Sequence, residues 1–370
     1  MHVSIFKTFP LKLKDWDDLG ILDRETKPFR EISISSNIKF SLISYESVIL
    51  PKYIKKLIPI KVVPAFKFEY KKSIFKYLAS LFVPFNIGNI VKNSDVLQTN
   101  QFWGVWILLI VKLIYKKKII LRQGFNFYYF FELSKKNYFL KLVIKLLVKI
   151  AYHYSDKLIV TTDTTKKSLI NNFNINSKKI NVIPNYIDTK IFKKIKNINK
   201  QNKILCVGRL AEQKNYEYLF KILSNSNIEI DIIGHGDQNR YRKIAEMNNV
   251  KVNFLGNIKN ENLPKYYNSY KVFVLCSLYE GNPKSLLEAM SCECACICSD
   301  VNGIKELNNG KNLELVDLKY PRRFLNTIKK YIEGKEEQNS DLGYHARKFI
   351  EKNFSLEKIK EEYLRIYKSI

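Results

Sequence analysis

Short apolar runs alternate with amphipathic stretches along the whole chain. The runs are rich in β-branched and aromatic residues and have the length of buried strands, whereas the stretches between them have helical spacing. The predicted strands are His2–Lys7, Phe40–Tyr45, Ile119–Leu121, Lys157–Thr161, Lys203–Val207, Ile228–Ile233, Val252–Leu255, Val272–Leu275 and Ala295–Ser299. The predicted helices include Ile21–Ile32, Asn137–Tyr152 and Leu356–Tyr367. This alternation predicts an α/β protein with parallel sheets.

The stretch from Cys276 to Glu306 contains one complete strand–loop–helix–strand unit. A strand at Val272–Leu275 leads into the turn Glu280-Gly281-Asn282, and Pro283 suits the first position of the following helix. A parallel unit of this kind binds its ligands beyond the carboxyl ends of its strands. We therefore expect a binding site at this loop.

Two glutamates mark the predicted site. Glu280 lies in the loop and Glu288 lies eight residues later, about two turns into the helix. The backbone N–H groups of Ser285 and Leu286 should lack intrahelical acceptors and could hold a phosphate. Carboxylates suit sugar hydroxyls better than a diphosphate, so the pattern indicates a nucleotide-sugar site. The alternative is one acid at a helix start and one ordinary surface glutamate.

Length and composition indicate the class of protein. With 370 residues, 46% of them apolar, the chain can bury two domain cores. It has no uncharged apolar stretch of about 18 residues and no signal-peptide pattern, and its six cysteines lack the spacing of a secreted framework. We expect a cytoplasmic protein. Cys292, Cys294, Cys296 and Cys298 alternate, so we expect one strand face of buried thiols and no metal site.

Positive charge is concentrated in the first part of the chain. Of the net charge of +28, residues 1–200 contribute +23, with 36 Lys and Arg against 13 Asp and Glu. The predicted helix Asn137–Tyr152 carries Lys141, Lys145 and Lys149 at every fourth position beside apolar residues. A basic amphipathic helix can lie on an anionic bilayer. The alternative is an ordinary domain helix with a solvated lysine edge.

Four segments together resemble the motifs of retaining glycosyltransferase family 4, in the order found in that family. They are the linker Ile183–Asp188, the segment Val207–Asn215, the turn Phe254–Gly256 and the E-x7-E pattern from Glu280 to Glu288. The resemblance covers roughly residues 155–310. It implies the GT-B fold, which consists of two Rossmann-like domains facing across a cleft.

The resemblance also implies a domain arrangement and an activity. Residues 1–184 would form an acceptor-binding domain, residues 185–355 a nucleotide-sugar-binding domain, and residues 356–370 a helix crossing back to the first domain. The protein would transfer a hexosyl or N-acetylhexosaminyl group, with UDP-sugars favoured as donors and retention of configuration. The acceptor would be a saccharide or lipid-linked hydroxyl in cell-surface polysaccharide, lipopolysaccharide or glycolipid biosynthesis. We expect peripheral contact with the inner membrane face, no cofactor and no nucleic acid.

Residue roles follow from the same resemblance. Arg209 and Lys214 would stabilise the leaving diphosphate, Glu280 would bind the donor sugar, and Glu288 would bind ribose. The other donor-binding residues would be Gly20, Gly208, Gly256, Asn257, Asn282, Pro283, Ser285 and Leu286. The chain departs from the family at two places. Gly20 alone remains of a glycine-rich first loop, and Arg122 or Gln123 stands near a strand end where many members have a histidine.

Three other functions are consistent with parts of the sequence. A GT-B nucleotide-sugar epimerase would share the fold, and product analysis with and without acceptor separates it from a transferase. A non-enzymatic basic protein that binds nucleic acid or membrane would explain the charge, and its binding would depend strongly on salt. A catalytically inactive scaffold would account for the two departures from the family pattern.

Overall fold

The computed structural model describes residues 1–133 and 137–370, which divide into two compact units. Unit 1 comprises Met1–Pro184 and Ile359–Ile370, and unit 2 comprises Asn185–Lys358. Each unit contains one sheet whose paired strands are all parallel, with helices in the connections. The predicted α/β class with two Rossmann-like domains is confirmed.

The unit 1 sheet has seven strands in the order β3-β2-β1-β4-β5-β6-β7. The central strand β1 pairs Val3 with Phe40 on one side and with Val96 on the other. Four of its five side chains are buried, as its apolar sequence predicts. The strands are β1 His2–Phe6, β2 Lys39–Ser44, β3 Lys61–Pro64, β4 Val96–Thr99, β5 Lys118–Arg122, β6 Lys157–Val160 and β7 Ile180–Val182.

Ten helices of unit 1 lie between these strands in the described part of the chain. The longest, α9, buries Ile144, Val148, Ala151 and Tyr152 in the core. The apolar run Phe102–Tyr115 mostly forms α7, which contacts both α5 and α9. The helices are α1 Leu13–Asp18, α2 Leu22–Ser35, α3 Pro51–Leu57, α4 Ser73–Ser80, α5 Val83–Asn86, α6 Gly88–Lys92, α7 Val105–Tyr115, α8 Phe127–Glu132, α9 Tyr138–Tyr154 and α10 Asp163–Phe173.

The unit 2 sheet has six strands in the order β10-β9-β8-β11-β12-β13. Two clusters of buried side chains form its core. The strands are β8 Gln201–Val207, β9 Ile230–Ile233, β10 Val252–Gly256, β11 Tyr270–Leu275, β12 Ala295–Ser299 and β13 Glu314–Val316. The helices are α11 Tyr216–Leu223, α12 Gln238–Met247, α13 Leu263–Ser269, α14 Lys284–Ser291, α15 Asn302–Lys305, α16 Pro321–Glu333 and α17 Glu336–Asn353.

The last helix, α18 Leu356–Lys368, belongs to unit 1 from Ile359 onward. Two tyrosines on its buried face attach it to that unit. The Tyr367 hydroxyl donates to Gln98 Oε1 at 2.8 Å, and Tyr363 packs edge-on against Phe29 with ring centres 5.4 Å apart. Both tyrosines are buried, so this helix is part of the unit 1 core.

The four alternating cysteines do not all lie on a strand, so that prediction was wrong in part. Cys292 caps the C-terminus of α14, Cys294 precedes β12, and Cys296 and Cys298 alone lie on β12. The reason is that Glu293 adopts a positive φ of 58°, which ends the helix before the strand begins. All four thiols nevertheless pack into one buried cluster, as small apolar side chains would.

Within residues 1–133 and 137–370, no helix is both long enough and apolar enough to cross a bilayer.

Candidate functional site

Most of the predicted site residues lie at one edge of the unit 2 sheet. Gly208 and Arg209 follow β8, Gly256 ends β10, and Glu280 lies in the loop after β11. Parallel strands all end at the same edge, where α/β proteins bind ligands. β8 pairs with both β9 and β11, which brings the loops after these strands together.

Lys214 and Glu280 form an ion pair at this edge. Lys214 Nζ lies 2.6 Å from Glu280 Oε1, and the two side chains are only 12% and 7% exposed. The same carboxylate oxygen accepts a hydrogen bond of 2.7 Å from Ser277 Oγ. Sequence reasoning assigned these two residues to different parts of the donor, but the structure joins them directly.

Backbone contacts fix the two loops that carry this pair. The Leu278 N–H donates to the Gln213 carbonyl at 2.9 Å, and Gln213 Nε2 donates to the Tyr279 carbonyl at 2.9 Å. The aliphatic stem of Lys214 crosses the face of Gly208, where an added Cβ would lie 3.0 Å from Lys214 Cε. Gly208 therefore leaves room for the lysine that reaches Glu280.

The turn after β8 is packed against the turn after β9. A Cβ on Gly234 would lie 1.9 Å from the Gly208 carbonyl oxygen, so only glycine fits there. The Leu210 N–H also donates to the His235 carbonyl at 2.8 Å. Arg209 projects from this fixed turn and is exposed, with no ion pair recorded among the described residues. It is a cation free to meet a ligand.

Pro283 is the N-cap of α14 and not its first helical residue, which corrects the prediction. Its ψ of 110° is extended, so the helix begins at Lys284. The Pro283 carbonyl then accepts the N–H groups of Leu286 and Leu287, both at 3.2 Å. The Leu286 N–H, which was predicted to be free, therefore already has an acceptor in the Pro283 carbonyl. The Ser285 N–H has no partner recorded in the described part of the chain, so it can still meet a phosphate.

Asn282 is occupied by the linker that begins unit 2. Its side-chain Oδ1 accepts the Asn185 N–H at 2.8 Å, and its carbonyl accepts from Asn185 Nδ2 at 2.7 Å. Both asparagines are buried. Asn282 thus fixes the loop before α14, a role that sequence reasoning did not assign to it.

Glu288 is a buried carboxylate, with 3% of the residue exposed. Asn260 Nδ2 donates to its Oε1 and the Tyr267 hydroxyl donates to its Oε2, both at 2.9 Å. Burial, reinforced by this facing carboxylate, raises the pKa of the Tyr267 hydroxyl well above its usual value, so it remains a donor. Glu288 is therefore no ordinary surface glutamate. Asn260 and Tyr267 were not predicted, because nothing in the local sequence links them to Glu288.

Gly303 is a site residue that sequence reasoning missed. A Cβ at this position would lie 1.9 Å from the Gly281 carbonyl oxygen and 2.4 Å from that of Glu280. The first turn of α15 therefore supports the backbone that carries the Glu280 carboxylate. The available signal was a glycine in the short segment that follows the predicted strand Ala295–Ser299.

Gly256 and Asn257 lie at the outer end of the same edge. Gly256 has a φ of +70°, and its carbonyl accepts the Gly234 N–H at 2.8 Å. An added Cβ on Gly256 would meet nothing within 4 Å, so open space adjoins this backbone. Asn257 is exposed beside it. A planar base could lie against this stretch.

Gly20 belongs to unit 1, whereas the other predicted site residues belong to unit 2. It ends α1 with a φ of 66°. The Gly20 N–H donates to Asp17 O at 2.9 Å, and the Ile21 N–H donates to Trp16 O at 2.8 Å. These two bonds form a Schellman motif, which needs glycine at this position. Helix termination therefore explains Gly20 without a ligand.

Arg122 and Gln123, which stand near the strand end where many family members have a histidine, are buried within unit 1. Arg122 Nε donates to the Tyr363 hydroxyl at 2.8 Å, and its Nη1 donates to the Asn100 carbonyl at 2.8 Å. Gln123 Oε1 accepts from the Tyr152 hydroxyl at 3.0 Å. Arg122 is therefore engaged by its neighbours in unit 1, whereas Gln123 Nε2 is buried without a hydrogen-bond partner among the described residues.

Lys7 is a buried cation at the carboxyl end of β1, and it was not singled out from the sequence. It is 1% exposed, and its Nζ has no hydrogen-bond acceptor among the described residues. The Nζ lies 4.2 Å from the centre of the Trp16 ring. Burial lowers the pKa of Lys7 to about 7, and the charges of Glu46 and Asp15 oppose that shift only in part.

Two family models match the chain in adjoining regions. The model described as "Glycosyltransferase Family 4" matches residues 48–191, and the model described as "Glycosyl transferases group 1" matches residues 188–349.

Relatives with assigned names match about half of the chain. A Campylobacter jejuni N-acetylgalactosamine-N,N'-diacetylbacillosaminyl-diphospho-undecaprenol 4-alpha-N-acetylgalactosaminyltransferase is 32% identical over 46% of this chain and 49% of its own length. An Escherichia coli UDP-Gal:alpha-D-GlcNAc-diphosphoundecaprenol alpha-1,3-galactosyltransferase is 31% identical over 50% of this chain and 54% of its own length. The chain spans about half the length of the curated relatives it matches.

Solved structures match along the full length at low identity. Sucrose-phosphate synthase from Thermosynechococcus elongatus has a TM-score of 0.77 at 16% identity, covering 100% of this chain and 98% of its own. Anabaena HepE in complex with UDP-glucose has a TM-score of 0.76 at 15% identity, covering 100% of both chains. These similarities show the GT-B fold.

Proposed function

Because the chain belongs to glycosyltransferase family 4 and has the GT-B fold, we propose that it transfers a sugar from a nucleotide-sugar to an acceptor hydroxyl with retention of configuration. The observation that carries the proposal is the Lys214–Glu280 ion pair, fixed between two loops at the ligand-binding edge of unit 2. The favoured donor is a UDP-hexose or UDP-N-acetylhexosamine. The product would enter cell-surface polysaccharide or O-antigen synthesis.

Glu280 is proposed to hold the donor sugar. Its Oε1 already accepts from Lys214 and Ser277, whereas its Oε2 has no partner recorded among the described residues. An ionised carboxylate accepts hydrogen bonds only, so Oε2 suits a sugar hydroxyl. Lys214 holds this carboxylate in a fixed orientation.

Arg209 and Lys214 are proposed to stabilise the leaving diphosphate, with the Ser285 N–H as a further donor. In the proposed step, the bond from the sugar C1 to the phosphate oxygen breaks and the bond to the acceptor oxygen forms on the same face. The departing phosphate oxygen takes the acceptor proton. Fixed positive charge beside that oxygen stabilises the developing negative charge, so the step needs no divalent metal and no protein nucleophile.

Glu288 is proposed to bind the ribose of the nucleotide. Asn260 and Tyr267 hold the Glu288 carboxylate in a fixed orientation, and a carboxylate accepts the hydrogen bonds that ribose hydroxyls donate. The open backbone at Gly256 and Asn257 would accept the base. Each part of the donor would therefore have its own contact. The backbone at Gly256 and Asn257 would bind the base, Glu288 the ribose, Arg209 and Lys214 the diphosphate, and Glu280 the sugar.

The acceptor is proposed to be held at an anionic membrane. Two relatives carry diphospho-undecaprenol substrates in their names, and the first 200 residues of this chain carry most of its positive charge. On α9, Lys145 and Lys149 are exposed, whereas Lys141 Nζ donates to the Glu132 carbonyl at 2.6 Å. The two exposed lysines would meet lipid phosphates, and salt would weaken that contact.

The test is UDP release from a panel of UDP-hexoses and UDP-N-acetylhexosamines. We expect slow hydrolysis of one donor, accelerated by a saccharide acceptor and unchanged by EDTA. Conversion of the donor to its epimer without net UDP release would instead assign the protein to the epimerases. Salt-sensitive binding of nucleic acid tighter than UDP binding would also contradict the proposal.

A further inference from the structure

The two units differ sharply in how many large apolar side chains they expose. Most of those exposed in the described part of the chain belong to unit 1, although the two units are similar in size. Those in unit 2 are Ile191, Ile195, Met247, Leu278, Tyr320 and Tyr344. Large exposed apolar patches on soluble proteins usually mark interaction sites.

One of these surfaces follows α4 and α5. Its members recur at helical spacing and point away from the core, with exposures between 46% and 65%. They are Ile74, Phe75, Leu78, Leu81, Phe82 and Phe85. We call this set the 74–85 stripe. The sequence of Lys52–Lys92 gave no clear element boundaries, so the stripe could not be predicted.

The opposite face of α4 is held firmly by the core. The Trp106 indole N–H donates to Ser80 Oγ at 2.9 Å, and the Trp103 indole N–H donates to the Tyr77 hydroxyl at 3.2 Å. Tyr77 also stacks on Trp106 with ring centres 5.9 Å apart. With both polar side chains satisfied underneath, α4 cannot turn the stripe inward without breaking these contacts.

Positive charge precedes the stripe in the chain. Lys67, Lys71 and Lys72, in the segment that leads into α4, are exposed. The sequence from Ser47 to Ser94 contains a single acid, Glu69, whose carboxylate is paired with Lys12. A second copy of this chain would bring like charges together near the contact. An anionic bilayer suits both features, because its headgroups are negatively charged, opposite to these lysines, and its interior is apolar like the 74–85 stripe.

We propose that the 74–85 stripe inserts into the headgroup and acyl-chain boundary of an anionic bilayer. This inference rests on the proposed transfer to a membrane-held acceptor. Lys67, Lys71 and Lys72 contact lipid phosphates while the phenylalanine and leucine side chains enter the apolar layer. Since α7 contacts both α5 and α9, the stripe and the lysines of α9 lie on helices that share a neighbour.

Insertion predicts two separable parts of membrane binding. The contribution of lysine is screened by salt, whereas the contribution of buried apolar area is not. Binding by lysines alone would therefore vanish at high ionic strength, and binding through the stripe would leave a salt-resistant remainder.

Co-sedimentation with phosphatidylglycerol-containing vesicles separates these parts. We expect Phe75→Ser/Leu78→Ser/Phe82→Ser to lower the partition coefficient at high salt by about 10- to 100-fold. Lys145→Glu/Lys149→Glu should lower it mainly at low salt. Ile34→Ser, at a residue 71% exposed on α2, is the matched control and should bind as wild type. Equal binding of the triple variant and wild type at both salt concentrations would overturn the proposal.

A label at position 82 measures insertion without relying on the triple variant. All six native cysteines are buried, so a cysteine introduced by Phe82→Cys would react selectively with a maleimide fluorophore. We expect its emission to shift to the blue on vesicles and to be quenched by a quencher in the acyl chains. The label at Ile34→Cys should remain in water.

Two results at position 82 would contradict insertion. One is a label that stays in water on bound vesicles, and the other is a label shielded without lipid in a concentration-dependent dimer. UDP release without vesicles is measured on the same labelled protein. Normal UDP release without insertion would refute only the proposed insertion of the stripe. Absence of UDP release from every donor would refute the proposed function.

Discussion

Arg209 and Lys214 are both cations near the end of β8, but the fold depends on them differently. Arg209 is exposed, whereas Lys214 is mostly buried against Glu280. Removing one partner of a buried ion pair leaves an uncompensated charge, whereas removing an exposed cation does not. Substitution of Lys214 should therefore lower the free energy of unfolding and substitution of Arg209 should not, although we expect catalysis to need both residues.

The first prediction concerns alanine substitution of these cations. Arg209→Ala and Lys214→Ala should each lower kcat by about 10²- to 10³-fold, because each removes a fixed charge from the leaving diphosphate. Lys214→Ala should also reduce the free energy of unfolding by about 3 kcal/mol, and Arg209→Ala should not. Arg322→Ala, at an exposed residue of α16, is the control. Near wild-type turnover of Arg209→Ala would remove that residue from the mechanism.

The second prediction separates the two glutamates. Glu288→Gln should weaken binding of UDP itself, because ribose is present with or without the sugar. Glu280→Gln should leave UDP affinity near wild type while lowering the rate of transfer. Calorimetric titration with UDP measures the first effect, and Glu261→Gln at an exposed position is the control. Equal losses of UDP affinity in both variants would refute these assignments.

The third prediction concerns Lys7 and pH. Burial lowers the pKa of Lys7 from 10.5 to about 7, so between these values the unfolded chain binds more protons than the folded one. The free energy of unfolding should therefore rise from pH 7 to pH 10, by up to about 4 kcal/mol, and this rise should be lost in Lys7→Met.

Tryptophan fluorescence measures that transition in unit 1 alone. Trp16, Trp103 and Trp106 are the three tryptophans of the sequence, and all belong to unit 1. Denaturant unfolding of wild type and Lys7→Met is compared at pH 7 and pH 10. Identical pH dependence of the two proteins would show that Lys7 is not the titrating group.

At the scale of the elements, the Glu280 loop depends on the start of α15. Gly303→Ala would place a Cβ 1.9 Å from the Gly281 carbonyl oxygen, so the loop must move. The fourth prediction is a loss of kcat of at least about tenfold, together with a lower thermal midpoint. Asn302→Ala, at the exposed neighbouring position, should change neither. Wild-type activity of Gly303→Ala would show that the loop tolerates displacement.

Elements were predictable from the sequence where one local pattern decides the structure. The apolar runs at Val272–Leu275 and Ala295–Ser299 became β11 and β12, because a buried parallel strand needs little more than continuous apolar residues. Element ends were less predictable. Pro283 suits both an N-cap and a first helical residue, and the residue before it, Asn282, is held by Asn185, which lies 97 residues away in the sequence.

The site was predictable only as far as its residues belong to sequence motifs. Glu280, Glu288 and Lys214 were identified, but their partners Ser277, Asn260 and Tyr267 were not. Asn260 and Tyr267 reach Glu288 from 28 and 21 residues away, so neither spacing nor periodicity links them to it. The contact of Arg122 with Tyr363 was not predicted either, because the two residues are 241 positions apart.

At the scale of the whole molecule, each unit brings a different property to the proposed reaction. Unit 2 contains the carboxylates and cations at one sheet edge, whereas unit 1 carries the exposed apolar stripe and the larger positive charge. The charge asymmetry could be predicted, because it requires only a count of charged residues along the sequence. The exposed stripe could not, since an apolar residue in a sequence is equally consistent with burial.

The central claim is retaining, metal-independent transfer at the Lys214–Glu280 site, and the anomeric configuration of the product tests it most directly. Proton NMR of the glycoside formed from an α-linked UDP-sugar in the presence of EDTA gives both properties in one measurement. We predict an α-linked product from wild type and a strongly reduced yield from Glu280→Gln. A β-linked product, a product that requires divalent metal, or an equal rate from Glu280→Gln would contradict the account.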